Sequence, residues 1–367
     1  MNVDNLECVS PYSCYINLTS KCNLKCKHCF GDYGVIQKSE LSLNQWKKVV
    51  DDICASKVFF INISGGEPTQ SPHFKEFINY LSKKGVHFIL TTNGVFSSDV
   101  RKFILNNREY LIGVKISLDG PDAKSHGFIR RDVFGKYNPL LFKTTLKNIF
   151  YFKKENIPIT IATVLHTENI KKIKKLAKLV RKINPVSWFI SPIVPVGRGF
   201  TNKEIAQHYD FFDVKFWNNV QEEGRKNKLN TRLIDLPVNI KKEGLSAYEC
   251  AGALNFCEIH SDGTVSPCSL SRVCIPEDKI KFDNIKDKSL LEIWNGASFE
   301  KFRGFMNIGC EDCKMLSKCN KCVAQSFRYF DNGLSPTPYC IKQGKKTGLK
   351  NYEKYKKRLE SKFKLTL

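Results

Sequence analysis

Cys22, Cys26 and Cys29 stand in the stretch CNLKCKHC, three thiols spaced C-x3-C-x2-C within one short loop. A [4Fe–4S] cluster used only to carry electrons takes four cysteines. Three leave one iron open to bind and polarise a small molecule, as an open position separates catalytic from structural metal sites. A zinc ion completed by a distant fourth ligand is the alternative for the same spacing. The chain holds 15 cysteines, six in residues 1–54, none in 55–249 and nine in 250–340. In a reducing compartment that count points to metal rather than disulfides, and the gap implies two metal-binding regions. In the second region Cys250, Gly263 and Cys268 form C-x12-G-x4-C, followed by Cys310, Cys313, Cys319, Cys322 and Cys340. One or two zinc knuckles also fit its CxxC pairs.

The elements that must position these thiols alternate strand and helix over residues 14–200. Tyr15–Thr19, Val58–Ile63, Val86–Thr91, Ile112–Leu118, Ile159–Leu165 and Ser187–Ser191 read as strands. One helix starts at Ser42, capped with Gln45 three residues on, and a second opens at Ser71 and Pro72 and stops at Gly85. Helical patterns follow near 98–106, 139–155 and 168–183. Six βα units in series imply a parallel sheet with right-handed crossovers. Six are too few for a closed eight-stranded barrel, so the expected α/β fold is a partial (β/α)6 TIM-type barrel. The expected organisation is a lead-in at 1–13, the barrel at 14–228 with a last helix at 203–228, a connector with a short strand at 229–249, a cysteine-rich region folded around metal at 250–342, and a basic helix at 343–367.

In parallel βα folds the working loops lie at the carboxyl ends of the strands. CNLKCKHC follows strand one, Gly65-Gly66-Glu67-Pro68 strand two, Thr92-Asn93-Gly94 strand three and Asp119-Gly120 strand four, so four unusual loops converge on one mouth. The paired glycines let a backbone approach a ligand closely. Pro68 fixes the exit, and the Glu67 carboxylate accepts from an ammonium or holds the loop in shape.

The N-terminus lacks a basic start followed by an apolar run, and no apolar stretch reaches the ~18 residues a bilayer span needs. The expected location is cytoplasmic. A net charge of +23 raises the possibility of nucleic acid, but the lysines follow solvated helix faces. In 167–184, Ile170, Ile173, Leu176, Val180 and Ile183 make one face and lysines cover the rest. A soluble basic surface, or attraction to an acidic peptide, accounts for the charge better than a polynucleotide partner.

With CNLKCKHC followed by GGEP, the chain resembles the radical S-adenosylmethionine (radical SAM) enzymes, His28 standing where they often carry an aromatic residue. The resemblance implies that S-adenosylmethionine (SAM) chelates the open iron and is cleaved to a 5′-deoxyadenosyl radical that takes a hydrogen atom from the substrate. It further implies cofactor contacts from Gly65, Gly66, Glu67 and Pro68, from Thr92 and Asn93, from Ser117 and Asp119, and from Gly197 and Arg198 in the loop VGRG. Ordinary turn chemistry is the alternative for the Asn-Gly and Asp-Gly pairs. His126 and Arg130, in HGFIRR, match a family segment after the fourth strand, and an exposed loop is equally compatible.

Residues 250–340 resemble the SPASM extension, which carries auxiliary [4Fe–4S] clusters. If the family wiring carries over, Cys310, Cys313, Cys319 and Cys340 hold the outer cluster. Cys250, Cys268 and Cys322 then hold the inner one, with Cys257 as fourth ligand and Cys274 as its rival. Cys322 departs from the family pattern, because two residues rather than three separate it from Cys319. Cys8, Cys14 and Cys54 read as small buried residues. Sulfatase-maturing relatives place an Asp base after the equivalent of Cys268; Ser269 stands there in this chain, against formylglycine formation.

The resemblance implies a peptide or protein substrate modified by crosslinking, thioether formation or oxidation, with an electron donor such as flavodoxin or ferredoxin. No leader-recognition domain fits before strand one, so a separate protein would supply it. Tetrapyrrole or other cofactor synthesis is the alternative enzymatic role. A zinc-stabilised nucleic-acid-binding or scaffold protein is the non-enzymatic one.

Overall fold

The computed structural model describes residues 9–37, 39–205, 214–234, 238–240, 245–247, 250–306, 308–314, 317, 319–342, 344, 348–349 and 351–363. The strands are β1 Ser13–Asn17, β2 Phe60–Ser64, β3 Phe88–Thr92, β4 Leu111–Ser117, β5 Ile159–Val164, β6 Ser187–Ser191, β7 Thr231–Leu233, β8 Val238–Ile240, β9 Leu245–Ala247, β10 Phe256–Ile259 and β11 Val265–Ser266. Nine of them form one sheet in the order β11-β10-β1-β2-β3-β4-β5-β6-β7, and β8 pairs only with β9. Every pairing from β10 through β1 to β7 is parallel, and β11 runs antiparallel to β10.

Strand alternation divides the sheet into two faces. Cys14, Ile16, Ile61, Ile63, Phe88, Leu90, Val114, Ile116, Ile161, Trp188 and Ile190 are buried on the outer face. The covering helices present Trp46, Val49, Val50 and Ile53 from Leu43–Ala55, and Phe74, Phe77, Ile78 and Leu81 from Phe74–Lys83. Leu176, Ala177, Val180 and Ile183 do the same from Ile173–Ile183. Each buried Val, Leu, Ile or Phe among them contributes about 1.5–3 kcal/mol. The inner face is mixed: Tyr15, Asn17, Asn62, Thr91, Lys115, Phe189 and Glu258 lie on it beside Ile89, Ala162 and Val164. Thr91 Oγ1 donates to Asn62 Oδ1 on the adjacent strand β2 at 2.7 Å.

The partial barrel is therefore the expected α/β fold, with a wider sheet than six strands. β7 arises from the expected connector strand. β10 and β11 come from the cysteine-rich region, which β10 joins to the barrel sheet by pairing with β1. The 168–183 pattern is two helices, Thr167–Ile170 and Ile173–Ile183. Asn169 explains the break: its Oδ1 accepts from His166 N at 2.8 Å, and its Nδ2 donates to Asp119 O and Val164 O at 3.0 and 2.8 Å. These bonds pin the first turn to the sheet. Within 203–228 the described helical residues are Lys203–Ile205 and Val214–Lys226, and the basic tail forms Tyr352–Phe363. Among the described residues no helix is long and apolar enough to cross a membrane.

Candidate active site

The cysteine loop is built from both ends. At its entry the Glu40 carboxylate accepts from Thr19 Oγ1 at 3.0 Å and from Ser20 N at 2.7 Å. Cys22 N donates to Gly34 O and Gly34 N to Ser20 O, each at 3.0 Å, closing the loop on itself. Lys25 N and Lys27 N donate to Arg131 O and Ile129 O at 2.9 and 2.8 Å, which docks the loop on the segment after β4. Cys22, Cys26 and Cys29 pack around Leu24, Val95 and Leu141. Burial and then the Cys26 thiol push Cys22 up to about 12, and burial pushes Cys26 up to about 11 although Arg130 lies beside it. Crowded thiols that oppose one another's ionisation fit a cationic metal centre, which is what lets such groups deprotonate together.

The loops after the other strands are tied to this one. Gly66 N donates to Thr19 O and Glu67 N to Lys21 O, both at 2.8 Å. A Cβ on Gly65, whose φ is +134°, would stand 2.5 Å from Thr19 O, and one on Gly66 2.4 Å from Lys21 O. The glycines thus admit the backbone of the cysteine loop, where close approach to a ligand was expected. Glu67 is fully buried: Oε1 accepts from Thr69 Oγ1 at 2.7 Å and Thr92 Oγ1 at 2.8 Å, and Oε2 from Asn93 N at 2.8 Å. Burial pushes its carboxyl up while these donors pull it down. Glu67 therefore holds loops in shape, one of the two roles expected of it. Pro68 opens the short 3-10 turn Pro68–Gln70. Asn93 Nδ2 donates to Asn23 Oδ1 at 2.8 Å, carrying the β3 loop onto the cysteine loop.

Asp119 and Arg130 form a buried ion pair beneath the thiols. Asp119 Oδ1 accepts from Val164 N at 2.7 Å, and its own N donates to His126 Nδ1 at 3.1 Å. Burial would raise the carboxyl, but Arg130 and then His28 and His126 hold it at about 2. Arg130 Nη1 lies 4.0 Å from Cys26 Sγ, so HGFIRR is a buried support of the loop and not an exposed one. Ser117 ends β4 half-buried on the inner face. After β6, Arg198 N donates to Cys29 O at 2.9 Å and Arg198 Nε to Cys26 O at 2.8 Å, while its guanidinium pairs with Asp32. Gly197 has φ +53°, and a Cβ there would stand 2.3 Å from Phe30 O. Next to this support, His28 Nδ1 and His126 Nε2 are buried without a hydrogen-bond partner. Burial pushes both imidazoles down to about 3. These neutral nitrogens, left without a protein partner, lie around the Asp119–Arg130 pair.

One part of the site is not apparent from motifs. Asn17 Nδ2 contacts Tyr33 Oη at 3.1 Å, His260 Nδ1 at 3.1 Å and Glu258 Oε1. Ser269 Oγ donates to Glu258 Oε2, and His260 Nε2 meets Ser266 Oγ at 2.8 Å. This polar wall lines the inner face between the cysteine loop and Cys268. The signal available was strand alternation in FCEIH, which puts Glu258 and His260 on the face opposite Cys257 and Ile259.

The C-terminal thiols fall into groups. Cys250 Sγ lies near the Pro267–Cys268 backbone, since a Cβ on Gly252 would stand 3.1 Å from Pro267 O and 3.8 Å from Cys250 Sγ. Cys274 ends the helix Ser269–Cys274, which packs on Val323–Phe330, the helix that Cys322 caps. Cys274 and Cys322 both act on the Tyr329 phenol between those helices. Cys257 is elsewhere: it pairs with Cys14 across β10 and β1, their sulfurs 3.5 Å apart in the main core. Its expected place beside Cys250 and Cys268 is corrected, because alternation turns it to the outer face. Cys310, Cys313 and Cys340 lie within electrostatic reach of one another, with Cys313 N donating to Cys310 O at 2.8 Å. Cys319 reaches the same place through its influence on Lys321. Cys14 is buried as expected, Cys54 is exposed contrary to expectation, and Cys8 lies outside the described residues.

Residues 16–180 match the radical SAM superfamily and residues 250–323 the SPASM iron–sulfur cluster-binding domain. An AdoMet-dependent heme synthase of Methanosarcina barkeri is 28% identical over 354 residues, spanning 90% of this chain and 96% of that protein. The sporulation killing factor maturation protein SkfB of Bacillus subtilis is 24% identical over 318 residues, 86% of this chain and 71% of that protein. Among solved structures, Streptococcus suis SuiB bound to S-adenosylmethionine shares the fold, with TM-score 0.71, 18% identity, and coverage of 90% of this chain and 77% of that one.

Proposed function

Because the chain belongs to the radical SAM superfamily and carries a SPASM domain, we propose that it matures a ribosomally synthesised peptide or protein by a radical crosslink, thioether formation or oxidation. It is an enzyme whose cofactors are [4Fe–4S] clusters and S-adenosylmethionine. In this reading Cys22, Cys26 and Cys29 hold the SAM-binding cluster. Cys310, Cys313, Cys319 and Cys340 hold an outer auxiliary cluster, and Cys250, Cys268, Cys274 and Cys322 an inner one. When bound, the first cluster and SAM supply reductive sulfonium cleavage and a radical that abstracts hydrogen. The chain's own part is to orient and to exclude water. Arg198 and Arg130 brace the cysteine loop, Glu67 locks the β2 and β3 loops to it, and His28 and His126 offer nitrogens to the cofactor's polar groups.

The observation that carries the peptide reading is the open sheet. Among the described residues its edges, β7 and β11, do not pair with each other, and in this reading an extended chain enters at that unpaired seam. The maturation role named for SkfB supports the same reading. A flavodoxin or ferredoxin would deliver electrons and a separate protein would recognise a leader. A second reading, action on a carboxylate-bearing tetrapyrrole, is favoured by the match along 96% of the heme synthase. The Lys115 ammonium, 5.6 Å from the ring centroids of Tyr15 and Phe189, would face a flat acidic ligand in the lumen.

The test is anaerobic turnover of cluster-loaded protein with SAM, dithionite and either a short peptide encoded beside the gene or a carboxylated porphyrin. The peptide reading predicts a mass change in the peptide coupled to 5′-deoxyadenosine. A changed porphyrin with an unchanged peptide would overturn it.

A further inference from the structure

Lys321 stands between Cys319 and Cys322, in CNKC, and is 2% exposed. A lysine is rarely buried to this extent without a reason. Its Nζ donates to Ile308 O and to Gly333 O, each at 2.6 Å, from the two loops that flank Cys310 and precede Cys340. Both acceptors are neutral carbonyls, so these bonds fix the ammonium without cancelling its charge. The charged and titratable groups facing it are Cys310, Cys340, Glu311 and Cys319. Glu311 is a solvent-exposed side chain that accepts from Gly309 N at 2.8 Å, so water screens it. Burial lowers the Lys321 ammonium below the usual lysine range, and the neighbouring thiols work against that shift. Gly309 keeps the arrangement tight: its φ is +78°, and a Cβ would collide with Leu334 O.

We propose that Lys321 is a fixed cation set against the outer auxiliary cluster, which raises that cluster's reduction potential. The inference rests on the reading that Cys310, Cys313, Cys319 and Cys340 hold a [4Fe–4S] cluster. Reduction adds one negative charge to the cluster, and a buried cation beside it favours that state more strongly than water would. Hydrogen-bonding and charged groups around a cluster's ligands set its potential in this way. Lys321 is a positioning residue in this account and touches no substrate. Its effect is to make the outer cluster a better electron acceptor.

The experiment is potentiometric titration of the full, anaerobically reconstituted chain, followed by electron paramagnetic resonance, for wild type, Lys321→Met, Lys321→Gln and Lys321→Arg. Cys313→Ala identifies the outer cluster's signal. At the potential where the wild-type outer cluster is half reduced, Lys321→Met and Lys321→Gln are expected to lower its reduced-to-oxidised ratio about tenfold or more, ~59 mV for one electron. Lys321→Arg is expected to keep it. If Lys321→Met sheds iron, the Gln and Arg variants decide, and equal potentials in those two overturn the proposal. A present cluster whose potential ignores Lys321 overturns the proposal alone, leaving Lys321 a tie between two loops. Spectra that Cys313→Ala leaves unchanged overturn the cluster reading and the proposal with it.

Discussion

Gly197 and Asp119 show how much of the site depends on single residues. At Gly197 the left-handed backbone and the contact with Phe30 O exclude any side chain, so Gly197→Ala must move either its own loop or the cysteine loop. We expect a loss of at least ~1–3 kcal/mol, together with lower iron retention on the first cluster, read by thermal unfolding and iron assay. Asp119→Asn leaves the Arg130 guanidinium buried without its counter-charge. The expected cost is about 3–5 kcal/mol by urea unfolding, and a wild-type unfolding midpoint would contradict it. At this scale the sequence was a good guide to which residues matter and a poorer guide to what they do. Glu67 and the two glycines were legible as special, yet their partners are other loops, because side-chain direction depends on packing that no local pattern encodes. Cys257 was misplaced for the same reason, since one step along a strand exchanges the faces of the sheet.

Elements were legible where short-range chemistry decides them. Ser42 and Gln45 form the capping box expected from their spacing, with Gln45 N donating to Ser42 Oγ at 3.4 Å and Ser42 N to Gln45 Oε1 at 2.9 Å. Ser42→Ala is expected to lower stability by ~1 kcal/mol without altering SAM binding, and a larger loss would imply a role beyond capping. β6 and the helix Ser98–Asn106 occupy their expected residues. The divided helix at 167–183 escaped detection because Asn169 makes its decisive bonds to Asp119 and Val164, remote in sequence or outside the helix. β10 escaped because it is four residues long and pairs with a strand about 240 positions earlier.

The whole molecule places neutral histidines deep inside a chain of high positive charge. Burial holds His126 and His260 down to about 3 and His166 to about 4. An unfolded chain would protonate them near the ordinary value of about 6.5. Their contribution to stability is therefore complete above about pH 6.5 and is lost as pH falls toward those folded values. Between pH 7.5 and 6.0 each should cost ~1 kcal/mol, seen as a falling urea midpoint. A midpoint that rises over this interval would contradict the burial of neutral imidazoles. The basic surface was legible in outline: Lys171, Lys174, Lys175, Lys178 and Lys182 are exposed as their helical spacing implied.

The central claim is that three thiols, braced by loops from four strands, present an iron with no protein ligand to SAM. It is tested most directly by measuring 5′-deoxyadenosine released from SAM under dithionite by cluster-loaded wild type and Cys26→Ala. The account predicts release by the wild type and none by Cys26→Ala, which would lose about four irons and keep about eight by its remaining cysteine sets. Equal release by both, or none from a fully iron-loaded wild type, would contradict it.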